Sequence, residues 1–268
     1  MRESNSKSDP KTPSAALTRR SLVAAAGILA TVSPVAIGKA LANYRGPSRH
    51  HGGGARCFLA GTRIMTPAGE VPIESLAHGD QVITRDGTAK AIRWVAKSVF
   101  ERDGEAWSHD VQPIRIQKNA LGEGFPRRDL YMSRTHMLFL DGLLIPAGDL
   151  VNGTTITAVS PDTARLEYFH VELEQHDVLL AEGAACETLL VTPEHGRDEF
   201  SNADEYASMY GETVTAMVPC APIAEHGGRR GALGSRLRSA LAPVIDIRRR
   251  ADVVRDGLDA RALLSKAA

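Results

Sequence analysis

Cys57-Phe58-Leu59-Ala60-Gly61-Thr62-Arg63-Ile64-Met65-Thr66-Pro67 sets a nucleophilic side chain at the head of short apolar and β-branched runs. Ala68-Gly69 follows, between Arg63-Ile64-Met65 and Val71-Pro72-Ile73, and reads as the turn of a hairpin. The pattern repeats downstream. Asp86-Gly87 separates Gln81-Val82-Ile83-Thr84-Arg85 from Ala91-Ile92-Arg93-Trp94-Val95, and Asp141-Gly142 separates Met137-Leu138-Phe139-Leu140 from Leu143-Leu144-Ile145. Asn152-Gly153 marks a further turn before Thr155-Ile156-Thr157. Gly after Asp or Asn tolerates the positive φ that tight hairpins demand, so residues 57–192 are expected to form an all-β domain of short hairpin-connected strands.

Flanking composition delimits that domain. Residues 101–129 are polar and interrupted by Gly104, Pro113, Gly122 and Pro126, which predicts a long loop around one strand near Val111 to Ile116. Beyond Pro193, a short helix is expected from Ala203 to Tyr210. Another is expected from Ala232 onward, where Leu233, Leu237, Leu241 and Ile245 recur every fourth position and Pro243 interrupts or kinks the run. Residues 193–268 therefore form a partly helical extension. From Arg229 to Arg250 there are seven arginines against the single acid Asp246, which suits either a solvated face docked on its own domain or contact with an acidic partner or membrane.

The chain has 32 basic and 32 acidic residues, so bulk charge offers nothing to nucleic acid, and none is expected as a partner. Residues 1–42 read as an export signal: Arg19-Arg20 precedes the weakly apolar run Leu22 to Ile37, and Ala40-Leu41-Ala42 has cleavage-site spacing. A twin-arginine export signal shares this layout, which places the mature protein in the periplasm or outside the cell; anchoring to the membrane by the same segment is the alternative. Residues 43–56 are a polar, Gly-rich leader. His50-His51 lacks further ligands nearby, and no metal or cofactor is implied. In an oxidising compartment three cysteines leave one unpaired; Cys57 is the candidate to stay free, with Cys186 and Cys220 able to pair.

A cysteine heading a β-domain can attack the carbonyl of Arg56 and exchange the Arg56-Cys57 amide for a thioester. Three demands follow. A thiol with a reference pKa near 8.5 needs help to ionise. The departing nitrogen needs a proton, which a histidine can deliver. The amide must be weakened by strain of about 1–3 kcal/mol. Ser133-Arg134-Thr135-His136 supplies a hydroxyl three residues before an imidazole: His136 as proton donor to the Cys57 nitrogen, Ser133 as the partner orienting the amide.

The stretch Cys57 to Val82 resembles the amino-terminal motif of Hint domains, shared by hedgehog autoprocessing domains and inteins, and Ser133-Arg134-Thr135-His136 resembles that family's Thr-x-x-His, with Ser in place of Thr. Tyr168 to Gly183 is similar to its carboxy-terminal strand motif, and the Tyr-Phe-His and His-Asp-Val-Leu-Leu-Ala-Glu-Gly strings resemble stand-alone bacterial members. The resemblance implies a horseshoe of short strands and an N-to-S acyl shift at Cys57. His170 stands where many inteins carry an assisting aspartate, and His176 and Asp177 become candidates for activating the group that resolves the thioester. Inteins end in His-Asn; here the position reads Cys186-Glu187-Thr188, so full splicing is not implied. The expected activity is cleavage of the protein's own N-terminal segment, with water or another acceptor as nucleophile. The alternative is a non-catalytic Hint-like structural or binding module.

Overall fold

A computed structural model describes residues 57–122, 124–193, 195–211, 215–224 and 228–267. The expected export signal with Arg19 and Arg20, the 43–56 leader and Arg56 lie outside the described residues. The rest is mostly antiparallel sheet with helices after it. Strands β1 (Phe58–Leu59), β6 (Trp94–Glu101), β7 (Ile114–Ile116), β8 (Leu130–Met132), β11 (Ile156–Ala158) and β12 (Arg165–Glu172) form one six-stranded sheet in the order β11-β7-β8-β1-β12-β6. Strands β2 (Arg63–Thr66), β3 (Gly69–Pro72), β9 (Met137–Leu140), β10 (Leu143–Pro146), β13 (Val178–Ala181) and β14 (Ala184–Glu187) form a second in the order β10-β9-β14-β13-β2-β3. A small hairpin pairs β4 (Gln81–Ile83) with β5 (Ala89–Ala91).

The turn chemistry accounts for these hairpins. At Asp141-Gly142 both residues have positive φ, 49° and 75°, the backbone that a two-residue hairpin with right-handed strand twist needs. Glu182-Gly183 does the same between β13 and β14, at 49° and 80°. The Asn152 side chain takes three backbone N–H groups, from Thr154, Thr155 and Ile156, at 3.0 Å each, and so fixes the turn into β11. One expected strand is corrected: Ala91 to Val95 is not continuous. The chain leaves the small hairpin after Ala91 and enters β6 at Trp94, because buried Ile92 and Trp94 belong to two different cores. The strand expected near Val111 is shorter and begins at Ile114.

The main core lies between the sheets and contains Phe58, Ile64, Ile114, Leu130, Met132, Leu138, Phe169 and Val171. A second core covers the outer face of the first sheet, where Cys57, Trp94, Ala96, Trp107, Leu166 and Tyr168 meet Leu189, Val191, Phe200 and Tyr206. All three cysteines are free thiols, Cys57 and Cys186 buried and Cys220 exposed, so the Cys186–Cys220 bridge that the sequence left open is not formed.

Helix α1 (Ala203–Tyr210) matches the expected bounds. Helix α2 (Gly228–Leu241) starts earlier than expected and ends before Pro243, which interrupts the run. Leu233, Leu237 and Leu241 lie on its exposed side. Helix α3 (Arg250–Ala267) was not foreseen; it buries Ala251 and Leu258 in the main core. Its Asp252, 1% exposed, binds Arg238 and Ser235 of α2 at 2.6 Å each. Arg248 pairs with Asp246 and Asp256, so part of the basic arm is matched by carboxylates within the extension. Among the described residues no helix is long and apolar enough to cross a membrane.

The segment after the β-domain is fastened to it. Arg197 clamps the fully buried Glu172 carboxylate through Nε at 2.7 Å and Nη2 at 2.8 Å, and its guanidinium lies 4.0 Å over the Tyr206 ring. Asn202 takes the Lys97 N–H and donates to the Val95 carbonyl, continuing the free edge of β6. Arg197→Ala would leave the buried Glu172 carboxylate with the longer Arg93 Nε contact at 3.6 Å, so it is expected to lower the unfolding free energy by about 3 kcal/mol in urea denaturation. A loss below about 0.5 kcal/mol would contradict the importance of the clamp.

Candidate functional site

The site is built by strand register. Phe58 pairs with Met132 on one side and Phe169 on the other. One step back along the antiparallel ladder, Cys57 therefore stands between Ser133 and His170. The main chain confirms the row: the Ser133 N–H donates to the Cys57 carbonyl at 2.8 Å, and the Cys57 N–H donates to Ser133 Oγ at 2.9 Å. The nitrogen that follows the Arg56 carbonyl is thus held by a hydroxyl, with Ser133 only 3% exposed.

Ser133 to His136 forms a turn closed by the His136 N–H on the Ser133 carbonyl at 3.3 Å. The turn is braced from behind, where Gly148 N–H binds the Arg134 carbonyl at 2.8 Å and Ala147 N–H binds that of His136 at 2.9 Å. Glycine is required at 148, since a Cβ there would stand 2.3 Å from Arg134 Cγ. Bracing in this way carries the His136 ring to 4.1 Å from Phe58 and 4.7 Å from His170, measured between ring centroids. Both imidazoles are fully buried.

Side-chain alternation puts Cys57 and Phe58 on opposite faces of β1: Phe58, against which His136 packs, belongs to the main core, whereas Cys57 belongs to the outer one. His170, level with Cys57 in the register, comes within 4.7 Å of the His136 ring, so both imidazoles stand beside this strand. Burial pushes the Cys57 thiol well above its ordinary range, and the Glu187 and Glu199 carboxylates push it further, so at neutral pH the sulfur is protonated. Beside it Tyr168 is also raised, by burial and then by Cys57, and donates its hydroxyl to the Val111 carbonyl at 2.7 Å.

The other expected site residues fall elsewhere. His176 accepts the Cys220 N–H at Nδ1 over 3.0 Å and turns Nε2 to Glu187 Oε2 at 3.5 Å. Glu187 Oε1 takes the Met137 N–H at 2.9 Å, so His176 reaches the His136 turn only through this carboxylate. Asp177 is engaged with Lys90 and the Val178 N–H, and the structure does not bring it into the row with Cys57. The sequence reading passed over Glu187, fully buried, and noted only that no asparagine stood there. A charged residue at an inward position of a strand was the available signal. Among the described residues no group of three or more His, Cys, Asp or Glu side chains could hold a metal ion.

Comparison with known proteins agrees with this fold. The family model described as Hint domain matches residues 56–193. Among solved structures, the MchDnaB-1 intein (N145AA) is 14% identical with a TM-score of 0.35, covering 49% of this chain and 99% of its own. The bacterial intein-like domain from Clostridium thermocellum is 18% identical with a TM-score of 0.36, covering 50% and 99%. The gp41-1 intein is 16% identical with a TM-score of 0.36, covering 48% and 96%. No curated protein matches. With just over half its length spanned by that family model, from the residue before Cys57 to a few residues beyond the second sheet, the chain belongs to the Hint domain family.

Proposed function

We propose that this Hint domain cleaves its own chain at Arg56-Cys57. The supporting observation is the Cys57 N–H held on Ser133 Oγ at 2.9 Å, with the His136 imidazole packed on the neighbouring Phe58 ring at 4.1 Å between centroids. Cys57 Sγ adds to the Arg56 carbonyl carbon while the thiol proton is handed on, by way of His136, to the departing nitrogen. The carbon–nitrogen bond then breaks, His136 protonates the released nitrogen, and the acyl group rests on sulfur as a thioester. Ser133 orients the amide throughout. With Cys186-Glu187-Thr188 where inteins end in His-Asn, no asparagine is present to cyclise and release the downstream segment, and reaction stops at N-terminal cleavage. After export and removal of residues 1–42, the piece released is the 43–56 leader.

One observation favours the alternative, a non-catalytic Hint-like binding module: the Cys57 thiol is 0% exposed and held protonated. The two readings differ in what nucleophiles do to the full chain. Hydroxylamine or dithiothreitol is expected to release the leader, seen by intact mass. Cys57→Ala abolishes release, His136→Ala slows it by about 100-fold or more, and Ser133→Ala slows it by about 10-fold. An intact wild-type mass after such treatment supports the module.

A second expectation follows from the sealed thiol. At pH 7.5 iodoacetamide should alkylate exposed Cys220 about 100-fold faster than Cys57, and urea should abolish the difference. Raised thiol pKa values at Cys57 and Cys186 favour the protonated folded form, so their contribution is full below about pH 8.5 and is lost as pH rises beyond it. Unfolding free energy measured from pH 7 to 10 should accordingly decline on the alkaline side, and a flat profile would contradict the assignment.

A further inference from the structure

Helix α2 keeps its polar side inward. Leu233, Leu237 and Leu241, about one turn apart, are each more than half exposed, whereas Gly231, Gly234, Ser235, Arg238 and Ser239 line the hollow between this helix, α3 and residues 148–154. Ser235 and Asp252, both buried, fasten that inner side by their hydrogen bond at 2.6 Å. The turn after the helix prolongs the apolar row: Val244, Ile245 and Ile247 are also more than half exposed, Val244 at 82%. A helix docked on its own domain by hydrophobic burial would hide its leucines and leave serine and arginine in water. Here the docking is polar, and six aliphatic side chains between 233 and 247 face outward together.

Charge limits what can cover this row. Residues 228–268 hold 10 basic and 4 acidic residues, a net charge of +6 in a chain whose total is zero. Residues 1–42, with their own apolar run, hold 6 basic and 2 acidic residues and so carry the same sign. A second copy of the chain would bring two basic extensions face to face, and like charge opposes both of these occupants. Residues 43–227 hold 16 basic and 26 acidic residues, so an anionic surface attracts the extension while repelling the β-domain. The row is aliphatic throughout, without the Trp or Tyr that anchors most protein–protein contacts. Aliphatic side chains on a basic element are what a bilayer with negative headgroups accepts at its interface.

We propose that the row from Leu233 to Ile247 docks this protein on the surface of a membrane containing anionic lipid. The aliphatic side chains enter the boundary of the acyl chains, and the surplus basic charge of the extension meets the headgroup phosphates. Arg236, exposed and next to Leu237, is placed for such a contact. The inner side of α2 stays on the protein, because Asp252 already holds Ser235 and Arg238. Docking of this kind is independent of self-cleavage at Cys57.

Flotation of the full chain with lipid vesicles tests the assignment. Vesicles containing about one-third phosphatidylglycerol are expected to bind at least about 10-fold more tightly than phosphatidylcholine alone, and added salt should weaken that binding. A variant combining Leu237→Gln, Val244→Gln and Ile245→Gln should bind about 10-fold more weakly with an unchanged melting temperature, since all three side chains already stand in water. Val244→Trp reports locally, because Trp94 and Trp107 are buried: its emission should shift to the blue on the anionic vesicles and be quenched by brominated acyl chains. Absence of binding, equal affinity for the two vesicles, or an unshifted tryptophan would overturn the proposal. So would a triple variant that binds like the wild type, which would give the contact to residues 1–42 or to charge alone. A wild-type dimer in sedimentation that the triple variant abolishes would assign the row to a second copy instead.

Discussion

A strand of two residues carries the whole arrangement. Phe58 and Leu59 lie between β8 and β12, and that register alone sets Cys57 level with Ser133 and His170. A slip of one residue would turn Phe58 out of the main core and Cys57 into it, at a cost of about 2 kcal/mol or more for the displaced aromatic alone. The packing of Phe58 therefore defends the position of the cysteine beside it. His136 rests on the same aromatic ring, so one buried side chain sets the positions of Cys57 and His136 together.

The electrostatics of the site run against the simplest idea of a reactive cysteine. Burial and two carboxylates keep the sulfur protonated, where activated thiols in other settings are ionised by nearby positive charge. Reactivity here has to come from the backbone and from concerted proton movement. The amide is gripped at its nitrogen by Ser133 while water is kept out by Trp94, Tyr168, Leu189 and Phe200. The segment beyond Val191 completes this cover and is bound to the β-domain by the Arg197–Glu172 clamp.

Local chemistry made much of this legible from the chain. Asp141-Gly142 and Ala68-Gly69 marked hairpins because their turns require particular backbone angles, and those angles are a property of a few residues. The motif spacing also singled out Cys57 and Ser133, which the fold brings together through the Cys57 N–H on Ser133 Oγ at 2.9 Å. What failed depended on distant partners. Ala91 to Val95 looks like one strand, yet Ile92 and Trp94 serve different cores, which no local pattern records. Asp177 looked available beside His176 until Lys90, from another hairpin, claimed it. Helix α3 went unread because its buried face is a sparse set of small and aliphatic residues against β-sheet. Glu187 and Glu199 gained meaning only when folding carried them toward a cysteine far away in sequence.

The central claim is that the bond between Arg56 and Cys57 exists in two forms, amide and thioester. NMR on full-length protein carrying a ¹³C carbonyl in arginine and ¹⁵N in cysteine observes this bond directly, through the one-bond carbon–nitrogen coupling at 56–57. The account expects a fraction of that signal to lose its coupling and move to a thioester shift, and Cys57→Ala to restore a single coupled amide. A fully coupled amide in the wild-type chain, unchanged after days at 25 °C with His136 and Ser133 intact, would contradict it.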